Sequence, residues 1–383
     1  MRLILVGLAV VFCLFLRIIS QPDRYTSPDS HAYLYKAEHL ADHQHGMVTF
    51  VNDRLGEHKV PSANWPIGYS FFINVVHHAT GFSYLWSSKV VNFVFLLLVL
   101  WVLHLWFRKD AWLVALAFFS FSSMEIFSHT WSEGPFLFFV ILLAYLIHRD
   151  FRQGPSPRRW IELSLLLMAI FLVRYAGLIY FMMLGTLILY CLYDKKWRLA
   201  KHYALALAIS SVSVGAYLAY NYTVSGALFG GHRLNVSPLS TGELVMIYLD
   251  TIAFARILVD RTDVIYYLVT GVQVVLMVWG IYIFYGYKRW KTPAAVLPLL
   301  GVAVFYFSVI SMLKLLITAI DFDYRMFSPF SVVLFMGVLA SVPPPDTPKI
   351  RWLRRGIVGF TLLSLVVNLP NQFILDWFMG LLV

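Results

Sequence analysis

Charge is scarce in this sequence. Of its 383 residues only 13% are Asp, Glu, Lys or Arg, and 60% are hydrophobic. A soluble domain carries about 25% charged residues. A chain this apolar cannot cover itself with polar groups, and it reads as an integral membrane protein. Cysteine is nearly absent: Cys13 and Cys191 both lie inside apolar runs. That excludes a disulfide framework and a cysteine metal cluster. No Walker or dinucleotide glycine pattern occurs, and no internal repeat of the transporter kind is visible. Acids are fewer than bases, 20 against 30, for a formal net charge of +10. The excess does not point to nucleic acid, because the basic residues fall mostly in short connections between apolar runs. Aromatics reach 17%, which suits membrane interfaces and sugar or lipid contacts alike.

What remains is a series of apolar runs. A spanning helix needs about 20 residues. The candidates are 3–19, 85–107, 111–127, 131–148, 160–173, 177–193, 203–220, 266–287, 294–317, 326–342 and 356–373. The 66–79 stretch is too short and reads as a helix partly sunk into the membrane or packed on the bundle. A cleaved signal peptide is the rival reading of 3–19; Arg17 near its end and the lack of a small-x-small site favour a retained anchor. The excess of Lys and Arg in cytoplasmic connections orients the chain. With the N-terminus inside, the inward connections hold 18 of the 30 Lys and Arg, and 15 of the 20 Asp and Glu fall outward. The expected fold is an all-α polytopic transmembrane helix bundle, a single domain over 1–383. It has about eleven spans, N-terminus in and C-terminus out. Two outward connections are large, about 20–84 and 221–265, and the first should carry amphipathic helices. Chemistry belongs on the outward, extracytoplasmic face.

The first polar ground begins at Ser27-Pro28-Asp29-Ser30. Ser27 suits a helix cap, Pro28 the first helical position and Asp29 the positive helix end. Tyr33, Leu34, Ala37, Leu40 and Ala41 recur at helical spacing, with Lys36, His39 and Asp42 on the other side. An amphipathic helix lying on the membrane surface follows. Asp29 is either an acid that only stabilises the helix start or a functional carboxylate. Other outward charges stand at run ends: Glu125, His129 and Glu133 around one turn, Arg174 between two runs, and Arg233, Arg256 and Arg261 in the second large connection. Asp321, Asp323 and Arg325 precede a late run. Ionisable groups at membrane depth are expensive and are functional candidates by default. Glu125, Arg256 and Arg261 are read instead as ties between helix ends. Asp321 and Asp323 offer carboxylates to a divalent metal. His31, His39, His43, His45 and His58 are either zinc ligands or simply solvated.

The order of the pieces resembles the membrane-embedded glycosyltransferases of the GT-C type, in the branch of the protein mannosyltransferases and the aminoarabinose transferase of lipid A. The shared pieces are Pro28-Asp29-Ser30 followed by Tyr33-Leu34, Pro66-Ile67-Gly68-Tyr69, Ser132-Glu133-Gly134-Pro135 and Arg174-Tyr175-Ala176-Gly177. Asn221-Tyr222 with Gly226, and Arg325 four residues before Pro329, complete the set. The chain departs from the pattern at Ser30, where many relatives carry a second acid, and at Asn64-Trp65, where some carry a Lys. The resemblance implies a sugar donor on a polyprenyl phosphate and a lipid, glycan or protein acceptor. It implies Asp29 as general base, Glu133 as a second catalytic residue, and Arg325, Arg174 and Arg233 as holders of the donor phosphate. Transfer would invert the anomeric centre. It needs no certain cofactor, with a divalent metal left open, and a bacterial inner membrane is preferred to the endoplasmic reticulum. Readings from other classes are a flippase or transporter of lipid-linked glycans, a polysaccharide polymerase or ligase, and a non-catalytic assembly subunit. A transporter would want its charges nearer mid-membrane, where Lys314 is the nearest exception.

Overall fold

The computed structural model of the chain describes residues 1–40, 48–53, 56–61, 63–229, 240–254, 271–275, 278, 296–316 and 324–369. The described residues are helical apart from one hairpin. Helix α1 (Arg2–Ser20) is the first apolar run, and α2 (Pro28–Glu38) follows eight residues later. Strands β1 (Val48–Asp53) and β2 (Gly56–Pro61) pair antiparallel, Val48 opposite Pro61. The first connection carries the expected helices α2 and α3, and this hairpin between them is an addition to the all-α expectation. Val48, Thr49, Phe50 and Val51 are β-branched or aromatic, which suits a strand. Helix α3 (Gly68–Thr80) packs on α2 and on α4 (Tyr84–Phe107). Asn74 Nδ2 donates to Ala37 O at 2.9 Å and Ser70 Oγ to Tyr33 O at 2.9 Å, so α2 is fastened to α3.

The buried face of α2 corrects the placement of Lys36 on its polar side. Lys36 is buried, and its Nζ donates to Trp65 O at 2.6 Å. A four-carbon stem runs through an apolar contact and delivers the amine to a carbonyl beyond it.

Beyond α4 the backbone changes direction at Arg108, where φ is 52°. The 111–127 run, expected as one span, is broken into α5 (Ala111–Ala115), a 3-10 turn at Leu116–Phe119 and α6 (Phe121–Ser128). Ser120 makes the break. It is extended, its Oγ donates to Ala117 O at 2.7 Å, and it accepts the Ser123 N–H at 3.4 Å. Serine offers the backbone such local alternatives to helix. Residues 113–128 are all buried, so their apolar character serves the protein core.

The bundle continues with α7 (Glu133–Gln153), α8 (Arg159–Val173), α9 (Leu178–Tyr193), α10 (Trp197–Ser225) and α11 (Thr241–Ile252). It closes with α12 (Leu297–Leu316), α13 (Tyr324–Ala340) and α14 (Pro348–Val367). Among the described residues, six helical runs are long and apolar enough to cross a membrane. The chain is an integral membrane protein. The sequence had suggested about eleven spans. Of the other five, 160–173 and 326–342 fall in helices of 15 and 17 residues, and 111–127 is broken. The 356–373 run begins within α14, whose first half carries Arg351, Arg354 and Arg355. Most of 266–287 lies outside the described residues.

Charged contacts collect at the two ends of the bundle. At one end Arg159 Nε meets Asp150 at 2.5 Å and Arg354 meets Asp110 at 3.4 Å. At the other, Arg17 Nη2 meets Glu125 at 2.5 Å. Glu125 is thus a tie between α1 and α6. The second end also holds the cluster described next.

Candidate functional site

Four residues that are far apart in sequence meet in one ionic network. Arg325 Nη1 donates to Asp29 Oδ2 at 2.5 Å, and its Nε donates to Glu133 Oε1 at 2.6 Å. Arg174 Nη1 reaches the same Glu133 oxygen at 2.6 Å. Two carboxylates face two guanidiniums, so the cluster is neutral as a whole. Exposure is uneven: Glu133 is 0% exposed, Arg174 14%, Arg325 16% and Asp29 32%. A group from outside reaches Asp29 most easily and Glu133 not at all.

Local structure explains each placement. Ser27 caps α2 through a reciprocal box: its Oγ accepts the Ser30 N–H at 3.4 Å, and Ser30 Oγ accepts the Ser27 N–H at 3.0 Å. Pro28 opens the helix, and Asp29 stands in its first turn against the positive helix end. Ser30 is buried as the far half of that box. Glu133 is the first residue of α7, again at a positive helix end. Arg174 sits in extended backbone between α8 and the 3-10 turn Tyr175–Gly177. Two glycines make that crossing possible. A Cβ on Gly177 would lie 2.8 Å from backbone atoms of Ile170 and Phe171, and one on Gly68 would lie 2.7 Å from Leu172 O. Arg325 stands in the first turn of α13. Pro329, four residues on, has no N–H to give the Arg325 carbonyl, so the helix is loosened where the guanidinium leaves it.

Aromatic groups wall the cluster. The Arg325 guanidinium lies 4.1 Å from the centre of the Trp131 ring, and His129 stacks on the same ring at 3.9 Å and 10°. Partners this close must take opposite faces, so the Trp131 indole is not open for stacking on a sugar. Trp131 Nε1 donates to Ser27 Oγ at 2.9 Å. Burial lowers the His129 pKa, although Glu125 beside it acts the other way. Tyr33 OH and Ser132 Oγ share a bond at 2.9 Å, and burial pushes the Tyr33 phenol well up, so it keeps its proton. Arg174 Nη2 also touches Met326 Sδ at 3.6 Å, and Tyr306 OH donates to Met326 O at 3.0 Å.

Asp29, Glu133, Arg174 and Arg325 are therefore brought together. Arg233, Arg256, Arg261, Asp321 and Asp323 lie outside the described residues, as do His43 and His45; the side chain of His58 does too. His39 stacks on Tyr35 at 4.1 Å. No group of three or more His, Cys, Asp or Glu suited to a metal occurs among the described residues. Tyr33 stood in the sequence only as part of the apolar face and of the Asp29 motif, and Trp131 and Tyr306 were not singled out as site residues. Lys89 and Asn92, buried in the N-terminal turns of α4, were not singled out either. A lysine inside the 85–107 run was the available signal for that pair. No protein-family model matches the chain, and no curated protein sequence matches it either.

Proposed function

We propose that the chain is a GT-C-like glycosyltransferase of a bacterial inner membrane. It moves a sugar from a polyprenyl phosphate to an acceptor hydroxyl on the extracytoplasmic face. The observation that carries this reading is the meeting of Asp29, Glu133, Arg174 and Arg325 from α2, α7, the α8–α9 break and α13. The resemblance chose three of these as base or phosphate holders and the fourth as their companion, and it did so from motifs spread over some 300 residues.

The geometry suggests distinct roles. Asp29, the most exposed of the four, takes the proton from the acceptor hydroxyl. The freed oxygen attacks the anomeric carbon. The bond from that carbon to the phosphate oxygen breaks, and the polyprenyl phosphate leaves with the electron pair from the opposite face, inverting the centre. Arg325 and Arg174 hold the leaving phosphate by charge-assisted bonds. Glu133, fully buried and shared by both guanidiniums, positions them. The donor phosphate would compete with Asp29 for Arg325, so donor binding would release the carboxylate for its role as base.

The neutrality of the cluster favours a second reading. Four mutually satisfied charges could simply tie α2, α7, α8 and α13 together, in a transporter or an assembly subunit. Purified protein given a synthetic polyprenyl-phosphate sugar separates the two, since only the enzyme forms glycosylated product. Orientation is tested by cysteine labelling. A Cys at Arg152 should resist an impermeant reagent applied outside intact cells, and its labelling there would overturn the inside placement of that loop.

A further inference from the structure

The turn that carries Trp131 and Glu133 is gripped from behind by α4. Helix α6 ends at Ser128, and the last carbonyls of a helix have no partner within it. Buried α4 side chains supply one. Lys89 Nζ donates to Ser128 O at 2.7 Å and to Tyr25 O at 3.3 Å. Asn92 Nδ2 donates to His129 O at 2.7 Å and to Phe127 O at 3.4 Å. Ser88 Oγ and Thr130 Oγ1 share a bond at 2.8 Å. Four consecutive residues, 127–130, are thus held by one face of α4. Tyr69 OH donates to Asn92 Oδ1 at 3.2 Å, which fixes the amide with its oxygen toward α3 and its nitrogen toward the turn.

The other side of the turn is bound to the segment bearing Asp29. Thr130 N–H donates to Tyr25 O at 3.3 Å, Trp131 bonds Ser27, and Ser132 bonds Tyr33. Lys89 and Asn92 are 1% and 0% exposed. Burying a lysine amine against carbonyls is costly, and an apolar side chain would fill the place at lower cost. What the amine adds is the grip: N–H donors aimed at carbonyls that α6 and the 25–27 segment leave open.

We propose that Lys89 and Asn92 are positioning residues. They set the 128–132 turn so that Glu133 meets Arg174 and Arg325 and Trp131 lies against Arg325. The kinetic part of this proposal rests on the glycosyl-transfer reading; the structural part does not. The test uses the full-length purified protein with Lys89→Met, which keeps the stem and removes the donors, and Lys89→Gln, which keeps a neutral donor. Hydrogen exchange is read by mass spectrometry, and transfer from a synthetic polyprenyl-phosphate sugar by initial rates.

In Lys89→Met the amides of 128–133 should exchange about tenfold faster or more, while α4 and α7 keep their protection. Its kcat should fall about a hundredfold, as for a misplacement of an ångström. Lys89→Gln should recover part of both. Adding Glu133→Gln to Lys89→Met should cost less than it does in the parent, because Glu133 is already displaced. Unchanged exchange in both variants overturns the grip. Faster exchange with parental kcat, or fully additive rate losses, overturns the positioning role. If Lys89→Met does not fold, the Gln variant and its coupling to Glu133→Gln decide. If the parent transfers no sugar, the reaction reading falls, and exchange alone decides whether the grip exists.

Discussion

Replacing Glu133 with Gln should be among the costliest single changes in the bundle. Glu133 is fully buried, and one of its oxygens serves both Arg174 and Arg325 at 2.6 Å. Glutamine keeps the size and one acceptor but removes the charge. Two guanidiniums that are largely buried then face each other with only Asp29 to offset them. Removing one member of a buried ion pair costs about 3–5 kcal/mol, because the charge left behind is uncompensated. Asp29→Asn removes a partner that is a third exposed, where such a pair is worth about 0–1 kcal/mol. The two variants should therefore differ by roughly 3 kcal/mol, although each removes one carboxylate from the same arginine. The assay is equilibrium unfolding in mixed detergent micelles, with helix content followed by circular dichroism. A control adds Arg174→Met to Glu133→Gln. It removes the stranded cation and should recover a large part of the loss. A loss below about 1 kcal/mol for Glu133→Gln, or a double variant as unstable as the sum of the singles, would show that Glu133 does not compensate the two buried guanidiniums.

Three further outcomes are expected. Burial pushes the Lys36 amine down to about 8 from 10.5, so between those values the unfolded chain binds more protons than the folded one and stability rises with pH. Lys36→Met should flatten that rise, read as the difference in melting temperature between pH 7 and pH 10; parallel slopes would refute it. Gly177→Ala drives a methyl to within 2.8 Å of the Ile170 and Phe171 backbone and should cost about 1–3 kcal/mol, with transfer falling as Arg174 shifts. A variant that melts like the parent would show that the close approach is not required. Arg325→Lys keeps the charge but loses the planar fork that bonds Asp29 and Glu133 together, so it should raise the donor KM more than it lowers the melting temperature. An unchanged KM in both Arg325→Lys and Arg325→Ala would remove Arg325 from the donor site.

The sequence made the cluster legible because a charge at the end of an apolar run stands out. Asp29 after Ser27-Pro28, Glu133 before Gly134-Pro135, Arg174 between two runs and Arg325 before Pro329 are all visible that way. Lys36 was misread because its charge outweighed its position. It stands three residues after buried Tyr33 and one before buried Ala37, so the helical period itself puts it inside. The 111–127 run was misread because core and lipid ask for the same apolar residues; only Ser120 hinted at the break. Lys89 stands out as a charge inside the 85–107 run, but what it bonds does not: Trp131, Lys89 and Asn92 act through contacts with segments tens of residues away, and no local pattern in one sequence names those partners.

Sugar transfer by purified Asp29→Asn protein decides whether Asp29 is the base. Ser27 caps α2, so an amide at 29 leaves the helix start intact and removes only charge and basicity. The control is Asp23→Asn; Asp23 Oδ1 accepts the Tyr25 N–H at 3.1 Å, away from the cluster. Asp29→Asn protein should melt within a few degrees of the parent and still bind polyprenyl phosphate. Its transfer rate should be about a hundred- to ten-thousand-fold lower, and the control should keep its activity. Asp29→Asn protein that melts normally and transfers sugar within about tenfold of the parent rate would show that Asp29 is not the base, since general-base assistance is worth more than that.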